Sequence, residues 1–165
     1  MLSNRSGLIE TEDAEGYILD SSVVMKWFSA EDEPYLKEAL LLRRGFLEQR
    51  WCLAIPDLVL YEVANVLHIK TPLTVRDVEN ALASLELMGL EVIFPELSLL
   101  CRAVFFAEEW GLSVYDAVFV ALAEGTGFPL ITADAECLRK LDGHRLPENL
   151  QVYLLQDLGL TESIL

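Results

Sequence analysis

Four carboxylates stand where an acid needs a reason. Asp20 ends a short apolar run, Tyr17-Ile18-Leu19, and Asp134 follows another that runs from Pro129 to Thr132. Glu62 interrupts the apolar stretch from Leu58 to Leu67, where Asn65 is the other polar position three residues on. Asp116 opens a segment from Tyr115 to Glu124 in which its helical neighbours at i+3, i+4 and i+7 would be Phe119, Val120 and Ala123. A carboxylate on such an apolar face is costly unless it is hydrogen-bonded, protonated or bound to a cation. Brought to one place, four acids repel one another and call for positive charge. Hard divalent ions with oxygen ligands answer that need, and Mg2+ characteristically keeps several waters and binds substrate phosphates. Two such ions on a phosphodiester can activate a water and stabilise the leaving oxygen, which is nuclease chemistry.

Each acid also has an ordinary explanation. Asp20, before Ser21-Ser22, and Asp134 could be helix caps, whose side chains accept hydrogen bonds from free amides at a helix start. Ser113-Val114-Tyr115-Asp116 fits a capping box. Glu62 and Asn65, continued by His68 or Ile69, could form a narrow polar stripe facing solvent. The chemical reading therefore rests on the set of four, not on any one of them.

The elements that must position these acids alternate. Short apolar strands are expected at 17–19, 52–55, 91–94, 129–132 and 150–155, and helices at 23–28, 35–50, 57–69, 75–88, 97–110 and 115–124, with a short helix after Asp134. Gly89 and Gly111 are natural helix stops, and Thr71-Pro72-Leu73-Thr74 separates two helices. Buried strands alternating with helices imply an α/β fold with a parallel sheet covered on both faces. In such sheets ligands bind beyond the C-terminal strand ends, near the reversal of strand order, and Asp20 and Asp134 occupy strand ends of that kind.

The chain has 165 residues, enough for one domain, with 53% hydrophobic residues to fill a core. Residues 1–16 read as a flexible acidic leader, 17–157 as the folded domain and 158–165 as a tail. Twelve Lys and Arg against 27 Asp and Glu give a net charge of −15, which argues against whole-surface adhesion to nucleic acid or anionic lipid. Local metal or a basic patch could still bring phosphates to the acids. Cys52, Cys101 and Cys137 form no paired motif and read as reduced core thiols. Neither a signal peptide nor an apolar run of about 18 residues is present, so a cytoplasmic protein without membrane association is expected.

These segments resemble the PIN-domain family, most closely the toxin ribonucleases of VapBC toxin–antitoxin pairs. The resemblance spans about residues 17–157 and lies in Ile18-Leu19-Asp20-Ser21-Ser22-Val23-Val24-Met25-Lys26-Trp27-Phe28, in Pro56-Asp57-Leu58-Val59-Leu60-Tyr61-Glu62-Val63-Ala64-Asn65-Val66-Leu67, in Leu112-Ser113-Val114-Tyr115-Asp116-Ala117 with Val120-Ala121-Leu122-Ala123, and in Leu130-Ile131-Thr132-Ala133-Asp134. It implies a three-layer α/β/α fold around a five-stranded parallel sheet. It also implies an endoribonuclease dependent on Mg2+ or Mn2+, homodimerisation, and inhibition by a cognate antitoxin. Asp20, Glu62, Asp116 and Asp134 match the family's catalytic and metal-binding acids, and Thr132 matches a hydroxyl residue beside the last acids that supports them or orients substrate. The acidic leader and the high negative charge depart from the usual pattern.

Other residues weigh less. Arg43, Arg44, Arg50, Arg139, Lys140 and Arg145 could hold phosphates or an antitoxin's carboxylates, against the plainer reading of solvated surface charge. His68 and His144 lack a zinc context. Trp27, Phe28, Trp51, Phe105, Phe106 and Trp110 sit in apolar periodic segments and read as core or dimer contacts. Two alternatives stay open: a non-catalytic PIN-like module that binds protein or RNA, and another metal-dependent phosphatase or nuclease acting on DNA.

Overall fold

The computed structural model describes residues 15–29, 32–70 and 72–161. Five strands, β1 (Gly16–Leu19), β2 (Cys52–Pro56), β3 (Glu91–Ile93), β4 (Leu130–Thr132) and β5 (Val152–Leu154), form one all-parallel sheet in the order β3-β2-β1-β4-β5. The helices are α1 (Ser21–Lys26), α2 (Leu36–Leu47), α3 (Leu58–Lys70), α4 (Val75–Met88), α5 (Leu97–Trp110), α6 (Val114–Thr126) and α7 (Ala135–Leu141), followed by a 3-10 turn over Leu155–Leu158. This is the expected α/β architecture with five parallel strands.

Strand order reverses at β1, which has β2 on one side and β4 on the other. β1 and β4 pair with Ile18 opposite Leu130 and Leu19 opposite Ile131. That register puts the residues after Leu19 beside the residues after Ile131, and the Asp20 N–H bonds the Ile131 carbonyl at 3.1 Å. Both strands are short and buried, as central strands covered on two faces must be, whereas β3 and β5 at the edges are half-buried.

The helix carrying Asp116 is the most deeply packed. Every residue of α6 from Ala117 to Ala123 is buried, and α6 lies against α5. Arg102 of α5 ties the pair together, forming an ion pair with Glu124 while its guanidinium lies 4.3 Å from the Phe106 ring centre. On the other side of the domain, two indoles anchor α2: Trp27 Nε1 donates to the Ala39 carbonyl and Trp51 Nε1 to the Leu42 carbonyl, both at 2.9 Å. Gly45 makes room for the second of these, since a Cβ there would lie 1.9 Å from the Trp51 ring.

Several boundaries differ from expectation. Helix α1 begins at Ser21, not Val23, because Asp20 caps it directly, accepting from the Ser22 N–H at 2.6 Å. Helix α2 stops at Leu47 because Gln49 turns into the left-handed region, φ 59°. Gly16 belongs to β1 and not to the leader, whose residues 1–14 lie outside the described residues, as do 162–165 of the tail. Cys101 is exposed on α5, so only Cys52 and Cys137 are partly buried thiols. Of the aromatics, Trp27, Trp51 and Phe106 are buried, while Phe105 remains about half exposed. Among the described residues, no helix is long and apolar enough to cross a membrane.

Candidate active site

At the reversal point, beyond the C-terminal ends of β1 and β4, lies a pocket of about 160 Å³ lined by Asp20, Ser21, Ser22, Glu62, Asp116, Phe119, Leu130, Asp134 and Cys137. All four expected acids line it, each from a different element. Larger hollows lie elsewhere, among them a 580 Å³ apolar groove along α3 and α4, but the lining of that groove includes a single carboxylate, Glu86.

Asp20 is the innermost acid. Its Oδ1 accepts from the Ser22 N–H and from the Ser22 hydroxyl, and its Oδ2 from the Thr132 hydroxyl. Burial pushes its carboxyl above the usual aspartate range, and these hydrogen bonds oppose the shift. Thr132 is fully buried and in turn accepts from the Asp134 N–H at 2.9 Å. Thr132 thus bonds both the Asp20 carboxylate and the backbone of Asp134.

Glu62 projects from the middle of α3, and its Oε2 accepts from the Ser21 hydroxyl. Burial raises its carboxyl above the usual glutamate range against the pull of Ser21, and the negative charges of Asp20 and Asp116 add to the rise. The polar stripe with Asn65 exists only in part: Asn65 is exposed, whereas Glu62 is half-buried and turned to the pocket.

Asp116 corrects an expectation. Its helical neighbours in the sequence are apolar, but its side chain is 46% exposed at the pocket mouth and Lys140 Nζ stands 4.0 Å from Oδ2. The cation comes from α7 and so escapes any count along α6. The Ser113 hydroxyl accepts from the Asp116 N–H at 3.0 Å, which fixes the start of α6 and leaves the carboxylate free of that duty. Asp134, exposed at the rim, caps α7 by accepting from the Glu136 N–H at 2.8 Å. The capping readings of Asp20 and Asp134 are therefore correct as far as they go, and they coexist with a place in the pocket.

Three residues of this site carried no assigned role from sequence: Ser21, Ser22 and Cys137. The serines follow Asp20 directly, and Cys137 lies one turn after Asp134, so adjacency to the acids was the available signal. The Cys137 thiol is pushed up to about 12 by burial and by the charges of Asp20, Asp116 and Asp134, with Lys140 opposing. A thiol so protonated is no nucleophile. Of the remaining cations, Arg44 and Arg50 pair with Glu48, and Arg139 with Glu136.

The donor set is made entirely of carboxylate and hydroxyl oxygens, apart from the protonated thiol, which suits a hard divalent ion such as Mg2+ or Mn2+. Two of the acids are held above their normal range by burial, so positive charge would relieve the cluster. Among the described residues no three His, Cys, Asp or Glu side chains already stand as a metal-holding group. Asp20 has both oxygens, and Glu62 one, turned to hydroxyl donors.

Comparison with known proteins bears on the fold and the family. No curated protein matches the chain in sequence. Among solved structures, PAE2754 from Pyrobaculum aerophilum is 25% identical, with TM-score 0.58, over 87% of this chain and 90% of that one. A toxin–antitoxin complex from Klebsiella pneumoniae is 18% identical, with TM-score 0.57, over 81% and 94%. VapBC2 from Rickettsia felis, bound to a DNA fragment from its promoter, is 17% identical, with TM-score 0.59, over 84% and 98%. The sequence profile of the PIN domain matches residues 17–143, and by that match the chain belongs to the PIN-domain family.

Proposed function

We propose that this protein is an endoribonuclease dependent on Mg2+ or Mn2+, and the toxin component of a toxin–antitoxin pair in the cytoplasm. The observation that carries the reading is the convergence of Asp20, Glu62, Asp116 and Asp134, from four separate elements, on one pocket at the reversal point of the sheet. Asp20, Asp116 and Asp134 would hold the metal directly or through water, and Glu62 would ligate it or orient the attacking water. The bound ion supplies charge neutralisation for the phosphate and a more acidic water. A water oxygen attacks phosphorus in line and the bond to the 3′ oxygen breaks, leaving a 5′-phosphate and a 3′-hydroxyl.

Partner readings follow from surface and charge. Tyr61 and Phe94, 69% and 71% exposed, flank the apolar groove and suit a homodimer contact. An antitoxin with a basic segment would suit a chain of net charge −15, and a similarly folded protein from Klebsiella pneumoniae belongs to a toxin–antitoxin complex. A second reading, a non-catalytic module whose acids are caps, is favoured by the caps that Asp20 and Asp134 do make. Cleavage of total RNA by purified protein with Mg2+, Mn2+ or EDTA, beside Asp116→Asn, separates the two. Discrete metal-dependent products absent with the variant support the nuclease; no products and no Mn2+ binding support the module.

A further inference from the structure

The Asp20 carboxylate is gripped by two hydroxyls that do the same job from opposite sides. On one side, the Ser22 hydroxyl donates to Oδ1 and accepts from the Ala133 N–H at 2.8 Å. On the other, the Thr132 hydroxyl donates to Oδ2 and accepts from the Asp134 N–H at 2.9 Å. Two consecutive amides of the turn between β4 and α7 are thus relayed, each through one hydroxyl, onto the two oxygens of one carboxylate in the turn between β1 and α1.

We propose that Ser22 is a positioning residue for the metal site, the counterpart of Thr132, and that the pair fixes both the plane of the Asp20 carboxylate and its distance from Asp134. The inference rests on the metal-dependent reading above. Rotation of the carboxylate forfeits a bond to one hydroxyl or the other. Drift of the β4–α7 turn, which carries Asp134, forfeits the bond to Ala133 or Asp134. Capping alone does not require this arrangement. The α1 cap is complete with the Ser22 N–H on Oδ1, whereas the Ser22 hydroxyl reaches across 111 residues of chain to a different turn. The link also gives the Ala133 N–H a partner at a partly buried strand end, where an unpaired amide is costly.

Groups that orient metal-binding side chains typically change metal affinity about 10- to 100-fold when removed. Mn2+ titration of the full chain by calorimetry is the direct test, using wild type, Ser22→Ala, Ser22→Thr and Ser22→Cys, with Thr74→Ala as a control. The Thr74 hydroxyl likewise donates to a carboxylate and accepts from an amide, both of Asp77, so its loss removes a comparable pair of bonds without touching the pocket. Ser22→Ala is expected to weaken Mn2+ binding by about 10- to 100-fold, Ser22→Thr to recover most of it, and Thr74→Ala to leave it unchanged. Should Ser22→Ala fail to fold, Ser22→Cys, similar in size but a poor hydrogen-bonding group, gives the same reading with a smaller loss. Ser22→Ala that binds Mn2+ as wild type does overturns the positioning role and leaves the metal-dependent function standing. A loss of affinity of equal size in Thr74→Ala also overturns it, because general destabilisation would then account for both. Wild type that binds no Mn2+ overturns the metal reading and this inference with it.

Discussion

Asp116→Asn offers the sharpest separation of site chemistry from fold. The side chain is 46% exposed, and its contact with Lys140 at 4.0 Å is a surface ion pair, worth about 0–1 kcal/mol. Its loss is partly offset by relief of the repulsion that Asp116 exerts on Glu62. The α6 cap uses the Asp116 amide and survives the change. In EDTA the variant should therefore melt within about 2 °C of wild type, since 1 kcal/mol shifts a protein of this size by about 2–4 °C. Mn2+ at about 100 times its dissociation constant stabilises the folded state by about 2.7 kcal/mol. With an unfolding entropy of about 2.1 cal/mol/K per residue, the 165-residue chain gains about 0.35 kcal/mol per degree, so wild type should rise by about 8 °C. The variant should rise by less than about 2 °C at the same Mn2+ concentration, its affinity having fallen with the lost carboxylate. Differential scanning calorimetry reads both numbers. An equal rise in the two proteins would refute the assignment of Asp116 to a metal site.

Other outcomes follow from the same geometry. The Glu62 carboxyl lies above its usual range in the fold, so the folded state favours its protonated form: that contribution is present below the ordinary glutamate value and lost as pH rises through the raised one. Glu62→Gln in EDTA should therefore gain on wild type in melting temperature between pH 4 and pH 7, and a difference independent of pH would contradict it. Gly45→Ala drives a methyl into the Trp51 indole, for which overpacking costs of about 1–3 kcal/mol are usual, and should lower the melting temperature by several degrees with Mn2+ affinity unchanged. Thiol labelling at pH 8 should modify exposed Cys101 well before Cys137, whose thiol is pushed up to about 12; labelling at equal rates, read by mass spectrometry, would show the pocket to be open and uncharged.

Legibility differed between fold and site for physical reasons. Helix α5 was expected at 97–110 and found there, because Gly111 in the left-handed region ends it as sharply as the sequence suggests. Strands β1 and β4 were recognisable as short apolar runs closed by acids. The ends of α1 and α2 were less so, since they depend on Asp20 turning back onto its own helix and on Gln49 adopting positive φ. All four acids stood out by type and context, and they share the pocket. What a linear reading could not supply was contact between elements distant in the chain. Lys140 reaches Asp116 from α7, and Ser22 reaches Ala133 in the turn after the neighbouring strand. The exposure of Cys101 was hidden for the opposite reason: Leu99 and Leu100 before it are apolar, but α5 presents that position to solvent.

Pairing of β1 with β4 joins Ile18 to Leu130, so the pocket closes only after more than a hundred further residues have been made. At translation rates of about 5–20 residues per second, roughly 6–22 seconds separate the emergence of the two strands. Asp20 exists from the start of that interval and Glu62 from partway through it, but neither Thr132 nor Asp134 exists until it ends. A nascent or prematurely terminated chain carries its first acids without the turn that aligns them. Topology thus leaves the site unassembled until β4 and the turn that follows it have been made.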